Sequence, residues 1–174
     1  MLREISTFDE LTGALNQRGL ENVADTVQSN SNRNFEIMSL LLIDVDGLKA
    51  INAKHGWQFG DKVLKEFSDV IRDIVRSGDI VGRSGDDEFC VLLFNTAEQH
   101  AMSLARRICN SLELKLIELE DQNAYATASI GVSNSEFLEL NYHDLLAAAQ
   151  SAMYNAKELG RNRVIAHSSI RSID

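Results

Sequence analysis

Arg83-Ser84-Gly85-Asp86-Asp87-Glu88-Phe89, set between Ile80-Val81 and Cys90-Val91-Leu92-Leu93-Phe94, is the stretch on which the fold turns. Turn-forming residues flanked by two β-prone segments predict a hairpin, whose tip presents its polar side chains to solvent or to a ligand. Asp86, Asp87 and Glu88 place three consecutive carboxylates at that turn, and such an anionic tip suits a divalent cation. A hairpin also fits a purely parallel, doubly wound sheet poorly. A mixed or antiparallel sheet with helices on its faces fits better, which makes the chain α/β of the α+β type.

The flanking sequence supplies the elements such a sheet needs. With no proline in the chain, boundaries are read from glycine, capping residues and changes of period. Asn16 to Val27 predicts a surface helix, Ser29 to Asn32 a loop, and the apolar run Phe35 to Val45 a buried strand. Val63, Leu64, Phe67, Val70, Ile71, Ile74 and Val75 form one helical stripe that must pack on the sheet. Ala101 to Leu112 marks a second amphipathic helix and Tyr125 to Val132 another strand. Leu145 to Ala156 marks a last long helix, with Gly160 as its C-terminal cap, and Val164-Ile165 adds an edge strand.

At 174 residues, 44% of them hydrophobic, the chain fits one domain with a single core. A formal net charge of -9 argues against a nucleic-acid partner, since backbone affinity rests on clustered Lys and Arg. Any anionic ligand must then be held by local basic groups or a metal. Cys90 and Cys109 have no metal-ligand spacing and read as buried thiols of a reducing compartment. Neither a signal peptide nor a membrane segment is predicted, so the chain is expected to be cytoplasmic, although a longer parent could be membrane-anchored.

Asp44-Val45-Asp46 closes the buried strand, where carboxylates emerge at its carboxyl end. Residues two apart on a strand share a face, so Asp44 and Asp46 are expected to converge on one cation. A plain Asp46-Gly47 turn is an equal alternative. Asp87 and Glu88 shift the balance, because two acidic turns supply the oxygen ligands Mg²⁺ prefers. Lys49 and Asn52 follow on a short helix, and Gly60-Asp61 is expected to open the long one. An Asn amide and an Asp carboxylate can read a guanine edge, but nothing in the spacing requires it, and the residues alone favour Asp61 as a helix N-cap.

Several motifs now stand in order: Asp9 to Arg18 (Asp-Glu-Leu-Thr-Gly-Ala-Leu-Asn-Gln-Arg), Asp44 to Asn52, Gly56, Gly60-Asp61, Arg83 to Phe89, Thr127 to Gly131 and Met153 to Arg163. Together they resemble the GGDEF family of diguanylate cyclases over nearly the whole chain. The resemblance implies a nucleotidyl-cyclase-like domain over residues 9–166, with a mainly antiparallel five-stranded sheet around a ferredoxin-like core. Residues 1–8 would end a connecting helix and residues 167–174 would be a polar tail.

It further implies Mg²⁺ (or Mn²⁺) on Asp44, the Val45 carbonyl and Asp87, with Asp87 as base and Glu88 in support. Asn52 and Asp61 would read guanine, Gly85 and Trp57 would line the nucleotide, and Lys49, Lys157 and Arg161 would hold phosphates. Arg76 and Asp79 match the spacing of the family's inhibitory product site. The implied partners are GTP, cyclic di-GMP, a second copy of the chain, and an upstream sensory or receiver domain.

The sequence departs from the family at Asp86, where the second glycine usually stands. Trp57 stands for a usual histidine, Ala53 for a common acid and Leu48 for a phenylalanine. If Asp86 needs a left-handed backbone it can tolerate one better than most residues, but its charge is unwelcome near a triphosphate. Two functions follow: a cyclase, slowed by the variant turn, or a degenerate domain that binds GTP or cyclic di-GMP as a regulatory or dimerisation module.

Overall fold

The apolar run ending at Asp44 becomes a strand buried on both faces because helices cover both sides of it. The computed structural model describes residues 5–30, 37–136 and 141–170. In chain order these form α1 (Gln17–Asn30), β1 (Met38–Val45), α2 (Leu48–His55), α3 (Trp57–Ile74), β2 (Ile80–Gly85), β3 (Glu88–Phe94) and α4 (Glu98–Glu113). They continue through β4 (Ile117–Leu119), β5 (Gln122–Ala124), β6 (Ala128–Asn134), α5 (Tyr142–Glu158), β7 (Arg163–Ala166) and α6 (His167–Ile170).

Five strands lie in the order β2-β3-β1-β6-β7, antiparallel except for the β6–β7 pair at the edge. The succession β1-α3-β2-β3-α4-β6, with spatial order β2-β3-β1-β6, is the expected ferredoxin-like connection. Leu41, Ile43 and Val45 face the layer of α3 and α4, whereas Leu40 and Leu42 face α1 and α5. Val63, Leu64, Phe67 and Ile71 are the buried stripe of α3, each contributing about 1.5–3 kcal/mol of apolar burial. Since side chains alternate along a strand, Asp44 falls on the α5 face. Among the described residues, no helix is long and apolar enough to cross a membrane.

Several boundaries differ from expectation. Helix α1 runs through Ser29-Asn30, so half of the predicted loop is helical, and Ser31-Asn32 and Phe35 lie outside the described residues. Tyr125 to Thr127 are not strand; β6 begins at Ala128, where pairing with Val45 begins. Helix α3 starts at Trp57, because Gly56 at φ 92° breaks the chain from α2 and allows a restart at once. Asp61 therefore sits inside the helix and caps nothing, which removes the N-cap reading. Residues 5–8 do not continue a helix; Phe8 bridges to Leu15. His167–Ile170 are a helical turn, held where Ser168 Oγ donates to Glu98 at 2.7 Å. Cys90 and Cys109 are buried free thiols.

Candidate active site at the strand ends

The tip of the hairpin is a two-residue turn, Asp86-Asp87, between the paired Gly85 and Glu88. Neither Gly85 nor Asp86 adopts a positive φ, so the left-handed backbone allowed for at Asp86 is not used there. The tip is braced from beneath. Arg83 Nη1 bonds both oxygens of Asp9 at 3.1 and 3.3 Å, and its Nη2 donates to the Asp86 carbonyl at 2.6 Å. Asp9 in turn accepts from the Thr12 amide and hydroxyl. Asp9 of the opening motif thus works as an anchor for the turn, a role its position in sequence did not reveal.

The Asp87 carbonyl accepts from the Val45 amide at 2.9 Å, which stitches the tip to the end of β1. Register then sets Asp44 directly opposite Glu88 and brings Asp87 beside them. Like charges opposed in this way repel, and a cation must offset them. Lys157, the penultimate residue of α5, pairs with Asp44 Oδ2. Asp44 Oδ1 is buried and finds no donor. Burial pushes the Asp44 carboxyl up to about 6; Lys157 pulls against that rise and Asp87 adds to it. Glu88 turns its carboxylate to the Ser84 hydroxyl at 2.7 Å. Among the described residues, no three His, Cys, Asp or Glu side chains converge on one point. The cluster therefore offers the Asp44 and Asp87 carboxylates, with one oxygen of Asp44 unpartnered. Such a set fits Mg²⁺, which takes one or two carboxylates and completes its shell with waters and substrate phosphates.

Asp46 does not join it. Its carboxylate accepts from Thr127 Oγ1 at 2.7 Å, Ser129 Oγ at 2.6 Å and the Asn162 amide at 3.1 Å. Strand β1 ends at Val45, so the alternation that would set Asp46 beside Asp44 no longer applies. Asp46 instead ties β1 and β6 to the left-handed turn of Arg161 (φ 66°) and Asn162 (φ 46°). That fastening keeps Arg161 four residues beyond Lys157 at the same end of the sheet. Lys49 is exposed at the start of α2.

Asn52 and Asp61 meet the first turns of α3. A Cβ on Gly60 would fall 1.7 Å from Asn52 Oδ1, so only glycine admits the amide, and that oxygen is buried without a donor. Asp61, the next residue after Gly60, is exposed and borders an open cleft of about 270 Å³ with Gln58, Lys62 and Lys65. Trp57 is 77% exposed.

Arg76 and Asp79 lie apart, before β2, at the end of the hairpin away from the tip. Asp79 Oδ2 accepts from the Arg76 amide at 2.9 Å, and Arg76 Nη2 donates to Thr96 Oγ1 at 3.1 Å. The guanidinium borders a cleft of about 240 Å³ with His100, Ser103 and Arg107. Arg107 is a second cation there that no spacing in the sequence singles out.

Fold and site define an α+β domain with acidic and basic groups gathered at the ends of its central strands. The profile of the family described as "Diguanylate cyclase, GGDEF domain" matches residues 6–163, and the chain belongs to that family. It is 38% identical over 139 residues to Diguanylate cyclase A of Treponema denticola, covering 80% of this chain and 37% of that protein. It is 36% identical over 158 residues to Diguanylate cyclase DosC of Escherichia coli, covering 90% of this chain and 34% of that one. The chain thus spans about a third of the length of these curated relatives. The GGDEF domain of DgcB from Caulobacter crescentus, solved in complex with c-di-GMP, superposes with a TM-score of 0.87 at 25% identity, covering 96% of both chains.

Proposed function

We propose that the chain joins two GTP molecules into cyclic di-GMP, each of two copies holding one nucleotide. The observation that carries this reading is the Asp44–Asp87–Lys157 cluster, with the buried Asp44 Oδ1 left without a donor. Asp44, the Val45 carbonyl and Asp87 would hold Mg²⁺ (or Mn²⁺). When bound, the ion supplies charge neutralisation at the reacting phosphate. Lys157, Arg161 and Lys49 hold the triphosphate, while Asn52 and Asp61 accept from guanine. Guanine presents N1–H and N2–H donors to two acceptors, and the unpartnered Asn52 oxygen and the Asp61 carboxylate provide them.

Asp87 takes the proton of the ribose 3′-hydroxyl. The 3′-oxygen forms a bond to the α-phosphorus of the facing nucleotide while the bond to pyrophosphate breaks. The same exchange in the other direction closes the ring and releases a second pyrophosphate. Alignment and charge neutralisation provide most of the acceleration. Arg76 and Asp79 serve as the product site through which cyclic di-GMP inhibits. An upstream sensory or receiver domain would bring two copies together.

The competing function, a nucleotide-binding regulatory module, rests on Asp86, whose exposed carboxylate adds negative charge at the tip. Incubation with GTP and Mg²⁺ at high protein concentration separates the two. Cyclic product supports the enzyme; saturable GTP binding without product supports the module.

A further inference from the structure

We infer that His55 and Gln122 form a positioning pair for base selection, clamping the β4–β5 ribbon to the corner between α2 and α3 so that the Asn52 oxygen and Asp61 keep the spacing guanine requires. This rests on the guanine reading above and adds what holds its two acceptors in place. His55 is the last residue of α2, and its ring stacks on that of the buried Phe59 in α3, with centroids 4.6 Å apart and planes inclined by 29°. Its Nδ1 pairs with Gln122 Oε1 of β5 at 2.8 Å. One half-buried side chain therefore joins three elements.

Asn52 lies three residues before His55, on the same face of α2. Helix α3 receives the two side chains at adjacent residues, the imidazole on Phe59 and the amide on the bare backbone of Gly60. Because the buried Asn52 oxygen has no donor within the protein, its place is set by how α2 sits on α3, and the His55 stack sets that seat. Across the ribbon, Gln122 stands directly opposite Leu119, and Leu119 lines the same cleft as Asp61. A ribbon of three residues per strand is marginal by itself, so the wall it provides beside Asp61 depends on its ties to the domain. The pair thus connects the helix that carries one acceptor to the wall beside the other.

The test uses the intact chain with Mg²⁺ and measures, by equilibrium dialysis, the binding of 3′-deoxy-GTP and 3′-deoxy-ATP, which lack the attacking hydroxyl. Wild type should favour the guanine nucleotide. His55→Ala and Gln122→Ala should each weaken the guanine nucleotide about tenfold, the scale of one hydrogen bond to the base. Both should leave the adenine nucleotide unchanged, because the groups that hold the metal and the triphosphate are untouched. The double variant should lose no more than His55→Ala alone, since both changes break one contact. His55→Asn, which keeps a hydrogen-bonding group for Gln122, should recover part of the loss. Gln122→Ala leaves the Phe59 stack in place, so it decides the matter if His55→Ala fails to fold. Wild-type selectivity in Gln122→Ala, or an equal fall for both nucleotides, overturns the positioning role while leaving guanine binding in place. A wild type that binds neither nucleotide, or both equally, removes the guanine reading itself, and the positioning role with it.

Discussion

Asp86 occupies the hairpin tip with an ordinary backbone, its carbonyl held by Arg83 and its side chain exposed. In the proposed reaction its cost would therefore be one of charge, and glycine is not needed there for geometry. Asp86→Gly and Asp86→Asn should raise kcat/KM for GTP to the same extent, up to about fivefold, because an exposed charge seldom contributes more than about 1 kcal/mol. A gain confined to Gly would point to the backbone instead. Asp9 makes a separate prediction. Burial pushes its carboxyl up, but the Thr12 bonds and the Arg83 charge outweigh that and hold it below the ordinary 3.8. A depressed value in the folded state means that the stabilisation is complete above the ordinary value. It is lost as pH falls through the lowered one. Melting temperature followed from pH 7 to pH 2 should show the wild type losing this component below about pH 4. Asp9→Asn should lack it throughout, so the two curves converge in acid.

At the scale of the element, the position of α5 decides where Lys157 points. A Cβ on Gly131 of β6 would lie 1.9 Å from the Ala149 carbonyl oxygen and 2.5 Å from the Met153 amide, so the helix backbone rests directly on the strand. One turn beyond Met153, that seat delivers Lys157 to Asp44. Gly131→Ala must lift the helix. Overpacking of about 1–3 kcal/mol should lower Tm by roughly 3–10 °C, and the displaced Lys157 should raise KM for GTP as well. The Asp46 fastening acts on the same loop from the other side, so Asp46→Asn should raise KM more than it lowers kcat. The sequence foretold the hairpin, the apolar stripes and Gly160 as the end of α5 because turn chemistry and periodicity are local. It misplaced Asp61 because a single glycine allowed α3 to start without a capping side chain. Asp46 misled for a similar reason: its three donors come from Thr127 just before β6, Ser129 within it and the loop after α5, more than eighty residues away in sequence. The Asp9–Arg83 brace was invisible on the same grounds.

For the whole molecule, the proposed chemistry gives one domain half of the reaction, since the Asp44–Asp87 cluster would receive one nucleotide. Specific activity should rise with protein concentration, and fusion to a dimerising segment should remove that dependence; a constant specific activity from dilute to concentrated protein would count against paired half-sites. Arg76 borders a cleft at the far end of the β2–β3 hairpin from Asp87, so its substitution can leave turnover intact. Arg76→Ala should weaken cyclic di-GMP inhibition at least tenfold with little change in initial rate. The most direct measurement is cyclic di-GMP formation from GTP and Mg²⁺ by concentrated wild-type protein beside Asp87→Asn. The account predicts cyclic product with two pyrophosphates per molecule in the wild type, and a rate lower by about 10²-fold or more in the variant, as loss of a general base gives. Bound GTP with no cyclic product at any protein concentration, or equal rates in the two proteins, would contradict it.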